Sequence, residues 1–228
     1  MREYVGTSGW MYSWNEGGSL DWYVRESGLN AIELNASFYR YPFPNQVKAW
    51  AEKGKSLKWV VKVNRAITHL YKLNKNSHKP FERFMKLFNP LNNNIAFYLF
   101  QLPPILTPNA LENIARFQER FHLGKRFALE ARNQKWFNED VYKKVEALGI
   151  TIVSVDSPQG SFIIKTGKDV YLRIHGRIQW YAYAYSKKEL LGLARRIKEL
   201  RPSTSYIFFN NDHAMLSNAR TMIALQKH

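Results

Sequence analysis

Apolar and polar positions along this chain fall into two alternating rhythms. Short β-branched or aromatic runs recur at Tyr4–Gly6, Ala31–Leu34, Trp59–Val63, Ile95–Phe100, Phe127–Glu130, Thr151–Val155, Val170–Ile174 and Tyr206–Phe209, and they read as eight strands. Between most of them lie stretches with helical spacing and capping signals: Leu20–Ser27, Asn45–Lys53 behind a proline, Pro80–Phe88, Pro108–Phe121, Asn138–Leu148, Ser186–Leu200 and Leu216–Gln226. Strand alternating with helix implies parallel pairing, because each crossover returns the chain to the same edge. Eight such units predict an α/β fold, a (β/α)8 TIM-type barrel formed as a single domain over residues 1–228. One interval breaks the rhythm. The segment DSPQGSFIIKTGKD after Val155 has no helical period, and Phe162–Lys165 reads as an extra strand turning at Thr166-Gly167, so a hairpin is expected in place of the sixth helix. The stretch His69–Pro80 is the best candidate for a mobile basic loop.

Period two also assigns faces. Successive strand residues point alternately to the outer helices and to the barrel interior. Val170, Leu172 and Ile174 share one face, and Tyr171, Arg173 and His175 the other. The same parity sends Glu33 and Asn35, Lys62 and Asn64, and Glu130 and Arg132 inward. Gln101 and Asp156 fall at the carboxyl ends of the fourth and sixth strands, and Asn210, Asn211, Asp212 and His213 follow the last. A single polar residue at a strand end is ordinary, but inward charge on strand after strand is costly unless it is paired or functional. Barrel active sites lie at that carboxyl-terminal face, so a pocket is expected there. Parity allows only one of Asn210 and Asn211 to face it, and Asn210 is the expected one, with Asn211 shaping the turn.

Charge narrows the ligand. The chain has 34 Lys+Arg against 18 Asp+Glu, a formal net charge of +16, which suits an anionic partner. Eleven of the cations lie between Lys48 and Lys86, against only Glu52 and Glu82, with Trp50, Trp59, Tyr71, Phe81, Phe84 and Phe88 interleaved. That mixture fits phosphates and stacked bases, or equally a solvated basic surface over core aromatics. Zero cysteines exclude disulfides, thiolate zinc sites and cysteine nucleophiles. No apolar run reaches the ~20 residues of a membrane span, and MREYVGTSGW lacks the order of a signal peptide, so a cytoplasmic location away from membranes is expected.

The segments VGTSGWMYSW (5–14), IELNASFYRYP (32–42), VKVNRAITH (61–69), FQLPP (100–104), LEARNQKW (129–136), YLRIHGR (171–177) and FFNNDHAMLSNA (208–219) resemble those of the domain of unknown function 72 family, in order and over nearly the whole chain. The resemblance implies a TIM-type barrel and no established reaction. It places Trp10, Glu33, Asn35, Tyr39, Arg40, Lys62, Gln101, Glu130, Arg132, Asp156, Arg173, His175, Asn210 and Asn211 in the family pocket. The chain departs after the fifth strand, where Glu130-Ala131-Arg132-Asn133 stands in place of the usual Glu-Phe-Arg-His.

Within this set, Glu130, His175 and Asp156 are the candidate proton-transfer groups, and Arg132, Arg173 and Arg40 can grip an anion. Trp10 and Tyr39 can stack on a sugar or base, or simply cap the barrel. Glu130, Asp156, His175, Asp212 and His213 are oxygen and imidazole donors that suit a divalent metal, although no spacing motif supports one. The expected function is a hydrolase or lyase acting on a phosphorylated sugar or nucleic acid, with or without metal. Two alternatives stand beside it: a non-catalytic nucleic-acid binder using the basic 48–86 region, and a metal-dependent sugar isomerase.

Overall fold

Alternating inward and outward side chains need two separate cores, and the computed structural model, which describes residues 1–226, has both. Strands β1 (Arg2–Thr7), β2 (Ala31–Leu34), β3 (Lys58–Lys62), β4 (Ile95–Gln101), β5 (Phe127–Glu130), β6 (Thr151–Ser157), β8 (Asp169–Ile174) and β9 (Thr204–Phe209) run parallel. Each pairs with the next, and β9 returns to β1 over the register Arg2↔Thr204 to Thr7↔Phe209, which closes an eight-stranded barrel. Inside, Ala31, Val60, Phe97, Leu99, Ala128, Val153, Val155, Tyr171 and Phe208 fill the lumen. Their alternate neighbours, including Ile32, Val61, Leu129, Leu172 and Ile207, form the larger core beneath the helices.

The helices are α1 (Leu20–Glu26), α2 (Ala36–Tyr39), α3 (Pro44–Lys53), α4 (His78–Leu87), α5 (Leu111–Phe121), α6 (Glu139–Ala147), α7 (Lys187–Glu199) and α8 (Met215–Gln226). Their starts follow local chemistry: Ser19 and Asn138 accept from backbone N–H groups three residues on, and Ser186 with Glu189 forms a reciprocal capping box. The four-residue α2 was not foreseen, being too short to show a period. None of the described helices is long and apolar enough to cross a membrane.

A hairpin does replace a helix between β6 and β8, but it lies earlier than expected. The added antiparallel strand is β7 (Gly160–Phe162), paired Val155↔Phe162 to Ser157↔Gly160. Gly160, at φ +136°, lets the chain reverse as soon as β6 ends. Over the stretch expected to be the strand, Ser154 instead ties Ile164 by its side chain, its hydroxyl accepting from the Ile164 N–H at 2.9 Å. The segment His69–Pro80 is also anchored, since Leu73 and Ser77 are buried and residues 75–77 make a 3-10 turn.

Strand β1 passes so close to β2 that a Cβ on Gly6 would stand 2.3 Å from the Ala31 carbonyl oxygen. Gly6→Ala must therefore spread the closing strands, at a cost of about 1–3 kcal/mol. Thermal unfolding should show a Tm lower by several degrees, and an unchanged Tm would mean that the seam is looser than this contact.

Candidate functional site

Parity brings three strands' charges together above the apolar filling of the barrel. Arg173 on β8 is fully buried. Its Nε and Nη2 donate to Glu33 on β2 at 3.0 and 2.6 Å, and its Nη1 donates to Glu130 on β5 at 2.6 Å. Both carboxylates are fully buried as well. Tyr171, two residues earlier on the same face, donates its hydroxyl to Glu33. Gln101 at the end of β4 donates to Glu130 at 3.1 Å, and Arg132 completes that carboxylate's shell at 2.9 Å. Such a cluster is tolerable inside a protein only because each charge meets its opposite in good geometry.

The His175 side of the cluster has one consistent hydrogen-bond order. Ser8 donates to the Asn210 Oδ1 at 2.6 Å, which turns the amide nitrogen toward His175 Nδ1 at 3.2 Å. With Nδ1 accepting, the imidazole proton belongs on Nε2, which faces Glu130 at 3.2 Å. The Trp180 and Tyr181 rings, from the loop after β8, cover the imidazole with centroids 5.4 and 5.8 Å away.

Electrostatics separate the members. Burial alone would raise the Glu130 carboxyl, but Arg132, Arg173 and the His175 contact more than offset it and hold it well below the ordinary carboxylate range. Burial and the adjacent Arg173 push His175 down to about 3, so at neutral pH it is uncharged. Burial, helped by Arg173, brings Lys62 down to about 8. Lys62 ends β3 with its ammonium 4.3 Å above the Phe38 ring of α2. The Ser37 hydroxyl fixes the strand end beneath it by donating to the Lys62 carbonyl at 2.6 Å.

Other expected residues lie elsewhere. Asp156 is buried but shares the outward parity of Ile152 and Ser154 rather than that of Val153 and Val155 in the lumen. It accepts from Arg177, from the Tyr185 hydroxyl at 2.8 Å and from Ser161 at 2.9 Å, and so pins the loop after β8 and the hairpin. Its carboxylate bonds neither Glu130 nor the His175 ring, although its carbonyl accepts from the His175 backbone N–H at 2.8 Å. Asn210 faces the cluster, whereas Asn211 donates to the Tyr183 carbonyl and to Asn218 and holds the same loop. Tyr39 is 71% exposed and packs edge-on against Phe38, with no hydrogen bond to the ionic cluster. Asn133, in place of the family histidine, accepts from the Lys135 N–H and donates to the Pro104 carbonyl as a turn residue. His213 lies beside Ser13 at the surface. Among the described residues, no group of three or more carboxylate and imidazole side chains converges to hold a metal ion. The donors Glu130, Asp156, His175, Asp212 and His213 are divided among three places, and Glu130 is already surrounded by cationic groups.

A cavity of about 410 Å³ opens between the segments that follow the first two strands and α3. Trp10, Trp50, Asn35, Arg40 and Gln46 line it, and Ser8 belongs both to its wall and to the hydrogen-bond chain into His175. The Asn35 amide donates to the Ser8 carbonyl at 3.3 Å, while its oxygen has no partner among the described residues. Trp10 packs edge-on against Trp50 and Trp59, so it is wall and core together. Apart from Met1, the large exposed apolar side chains, such as Met11, Phe43, Leu70, Ile105 and Ile178, sit on or next to loops that follow strand carboxyl ends. They rim this one face of the barrel. Trp180 and Tyr181 are contributors that sequence reasoning missed, and Tyr171, though read as facing inward, was not named as a site residue, nor was Ser8.

The fold and this face define a (β/α)8 barrel protein with a buried ionic cluster at the carboxyl ends of its strands. The chain belongs to the family described as protein of unknown function DUF72, whose model matches residues 4–228. A DUF72 family protein from Thermotoga maritima is 26% identical over the full length of both chains, with a TM-score of 0.85. One from Enterococcus faecalis is 18% identical, with 99% of this chain and 96% of that one covered and a TM-score of 0.83. A xylose isomerase domain containing protein from Salmonella typhimurium shares the fold at a TM-score of 0.63 and 13% identity, covering 92% and 93% of the two chains. No curated protein matches the chain.

Two outcomes follow from the cluster. Arg173→Met strands two carboxylates and should cost about 3–5 kcal/mol, and adding Glu33→Gln and Glu130→Gln should recover part of that loss. Urea unfolding of the single and triple variants checks this, and a triple variant no more stable than the single one would mean that shape rather than charge sets the cost. The second outcome concerns pH. In the unfolded chain His175 titrates near its ordinary value of about 6.5, so the unfolded state takes up the proton first and stability is lost as pH falls from about 6.5 toward 3. Between pH 6.5 and 5, where carboxylates contribute little, His175→Gln should flatten the fall by up to about 1.4 kcal/mol per pH unit. His69 and His78 are depressed in the same direction and will keep a residual slope.

Proposed function

We propose that the protein is a hydrolase or lyase that takes a small phosphorylated sugar at the carboxyl-terminal mouth of the barrel. The pairing state of the cations carries this reading. Arg173 is consumed by Glu33 and Glu130, whereas Arg132 makes one contact to Glu130 and lies across the Trp180 ring at 4.7 Å with donors to spare. Lys62 adds an unpaired ammonium, so the mouth keeps a net positive charge beyond what the two carboxylates offset. A phosphate monoester meets that surplus through Arg132, and the aromatic cavity at Trp10 and Trp50 suits the face of a sugar.

The proton-transfer assignment shifts with the geometry. A strongly acidic Glu130 and a neutral, enclosed His175 are poorly matched to exchange protons near pH 7, whereas Lys62, at about 8, is well placed. Glu130 and His175 then act as the frame that holds Arg132 and Asn210. A metal-dependent isomerase finds no ligand set among the described residues, so no step is assigned to a metal. The nucleic-acid reading loses four of its six stacking candidates, because Trp59, Phe81, Phe84 and Phe88 are fully buried and only Trp50 and Tyr71 stay partly exposed.

Thermal shift with a panel of sugar phosphates, their unphosphorylated counterparts and short oligonucleotides tests the proposal. A sugar phosphate at a hundred times its Kd should raise Tm by roughly 5–10 °C, and Arg132→Ala should abolish the shift. Oligonucleotide binding that weakens steeply with salt and ignores Arg132→Ala would favour the binder instead.

A further inference from the structure

We infer that the Lys62 amine is a covalent nucleophile that condenses with the carbonyl carbon of an aldehyde or ketone substrate to form an imine. The inference deepens the proposed function, resting on the same mouth and naming the carbonyl form of the sugar as the reacting species.

Three observations carry it. Lys62 is the one buried lysine among the described residues, at 7% exposure. The other buried charges near it, Glu33, Glu130 and Arg173, are all paired, yet its ammonium has no hydrogen-bond acceptor among the described residues and rests on the Phe38 ring. Its nitrogen is not completely sealed from solvent, although the side chain as a whole is buried. A structural lysine would be paired or fully exposed, and this one is neither. It stands at the carboxyl end of β3, the face where a barrel presents reacting groups.

The surroundings supply the free base. Burial and Arg173 act first on the ammonium and Arg132 adds to them, while Glu130 and Glu33 oppose, leaving it at about 8. Burial first, then Lys62 and Arg65, hold His69 of the loop after β3 below its ordinary value. At pH 7 roughly a tenth of the amine is unprotonated, against well under a thousandth for an ordinary lysine. In the reaction the nitrogen lone pair adds to the carbonyl carbon, and the oxygen takes a proton to give a carbinolamine. The C–O bond then breaks, water leaves with the second proton from nitrogen, and a C=N bond remains. No oxidant or reductant is consumed. The imine draws electrons from the adjacent carbon, which is what a lyase or isomerase step on a sugar requires.

Reductive trapping tests the inference on the intact protein. Glycolaldehyde and, separately, glyceraldehyde 3-phosphate are supplied with sodium cyanoborohydride, which reduces an imine to a stable secondary amine, and adducts are located by peptide mass mapping. The expected result at pH 7 is labelling of Lys62 at least tenfold faster than the average surface lysine, at a rate that climbs as pH rises toward about 8. Lys62→Met should remove that adduct alone, and Lys62→Arg serves as the folded control. Labelling spread evenly over the surface lysines by both aldehydes would overturn the inference. The two aldehydes separate the readings. If Lys62 is trapped equally fast by both, and Arg132→Ala changes neither rate, the imine stands and the phosphate preference of the proposed function fails.

Discussion

The Arg173 guanidinium, wedged between Glu33 and Glu130, is the contact on which the rest of the site depends. It stands on β8 and its two partners on β2 and β5, strands that are not neighbours in the sheet, so the bridge crosses the lumen and can form only when the barrel has closed in its correct register. A slip of one residue on any of the three would turn a charge out among the helices and leave its partners unpaired. Each further member of the site takes its position from this bridge. Tyr171 and Gln101 saturate the remaining carboxylate lone pairs, His175 donates to Glu130, and Asn210 and Ser8 continue the chain to the wall of the cavity.

Much of this arrangement was legible in the sequence, and the reason is periodicity. Strand alternation is a local property, so Glu33, Lys62, Glu130, Arg173 and His175 could be assigned to the interior without knowing what each would meet. Asp156 shows the limit of proximity to a strand end as a criterion. Its parity with Ile152 and Ser154 sends it outward, where it anchors Arg177 and Tyr185 instead of joining Glu130 and His175. Trp180 and Tyr181 come from a loop with no period at all, and Tyr181 reaches its place through a left-handed backbone conformation at φ +67°. The hairpin was visible as a missing helix, but its register depended on which glycine would make the turn. Gly160, adjacent to β6, makes it before Gly167 can.

Pairing could not be read from the chain, and pairing divides this cluster into a closed part and an open edge. From residue types alone, three inward cations and two carboxylates are compatible either with a self-neutralising network or with an anion grip. The structure separates the cations by how fully they are paired. Arg173 neutralises, fully enclosed and held by three hydrogen bonds to carboxylates, so it cannot turn toward a ligand without abandoning both partners. Arg132 and Lys62 sit at the edge of that network, one with a single carboxylate contact and the other with an aromatic face only.

The same network explains why Lys62 can stay unpaired. A buried ammonium without an acceptor costs free energy unless a partner or a proton loss relieves it. Here the nearest carboxylates are already committed to Arg173, whose own positive charge pushes the lysine further toward its neutral form. The ion bridge that locks the barrel thus also lowers the proton affinity of the one amine left free beside it. A tighter Glu33–Arg173–Glu130 cluster leaves less carboxylate charge to hold the proton on Lys62, which couples the stability of the closed barrel to the protonation of Lys62 at its mouth.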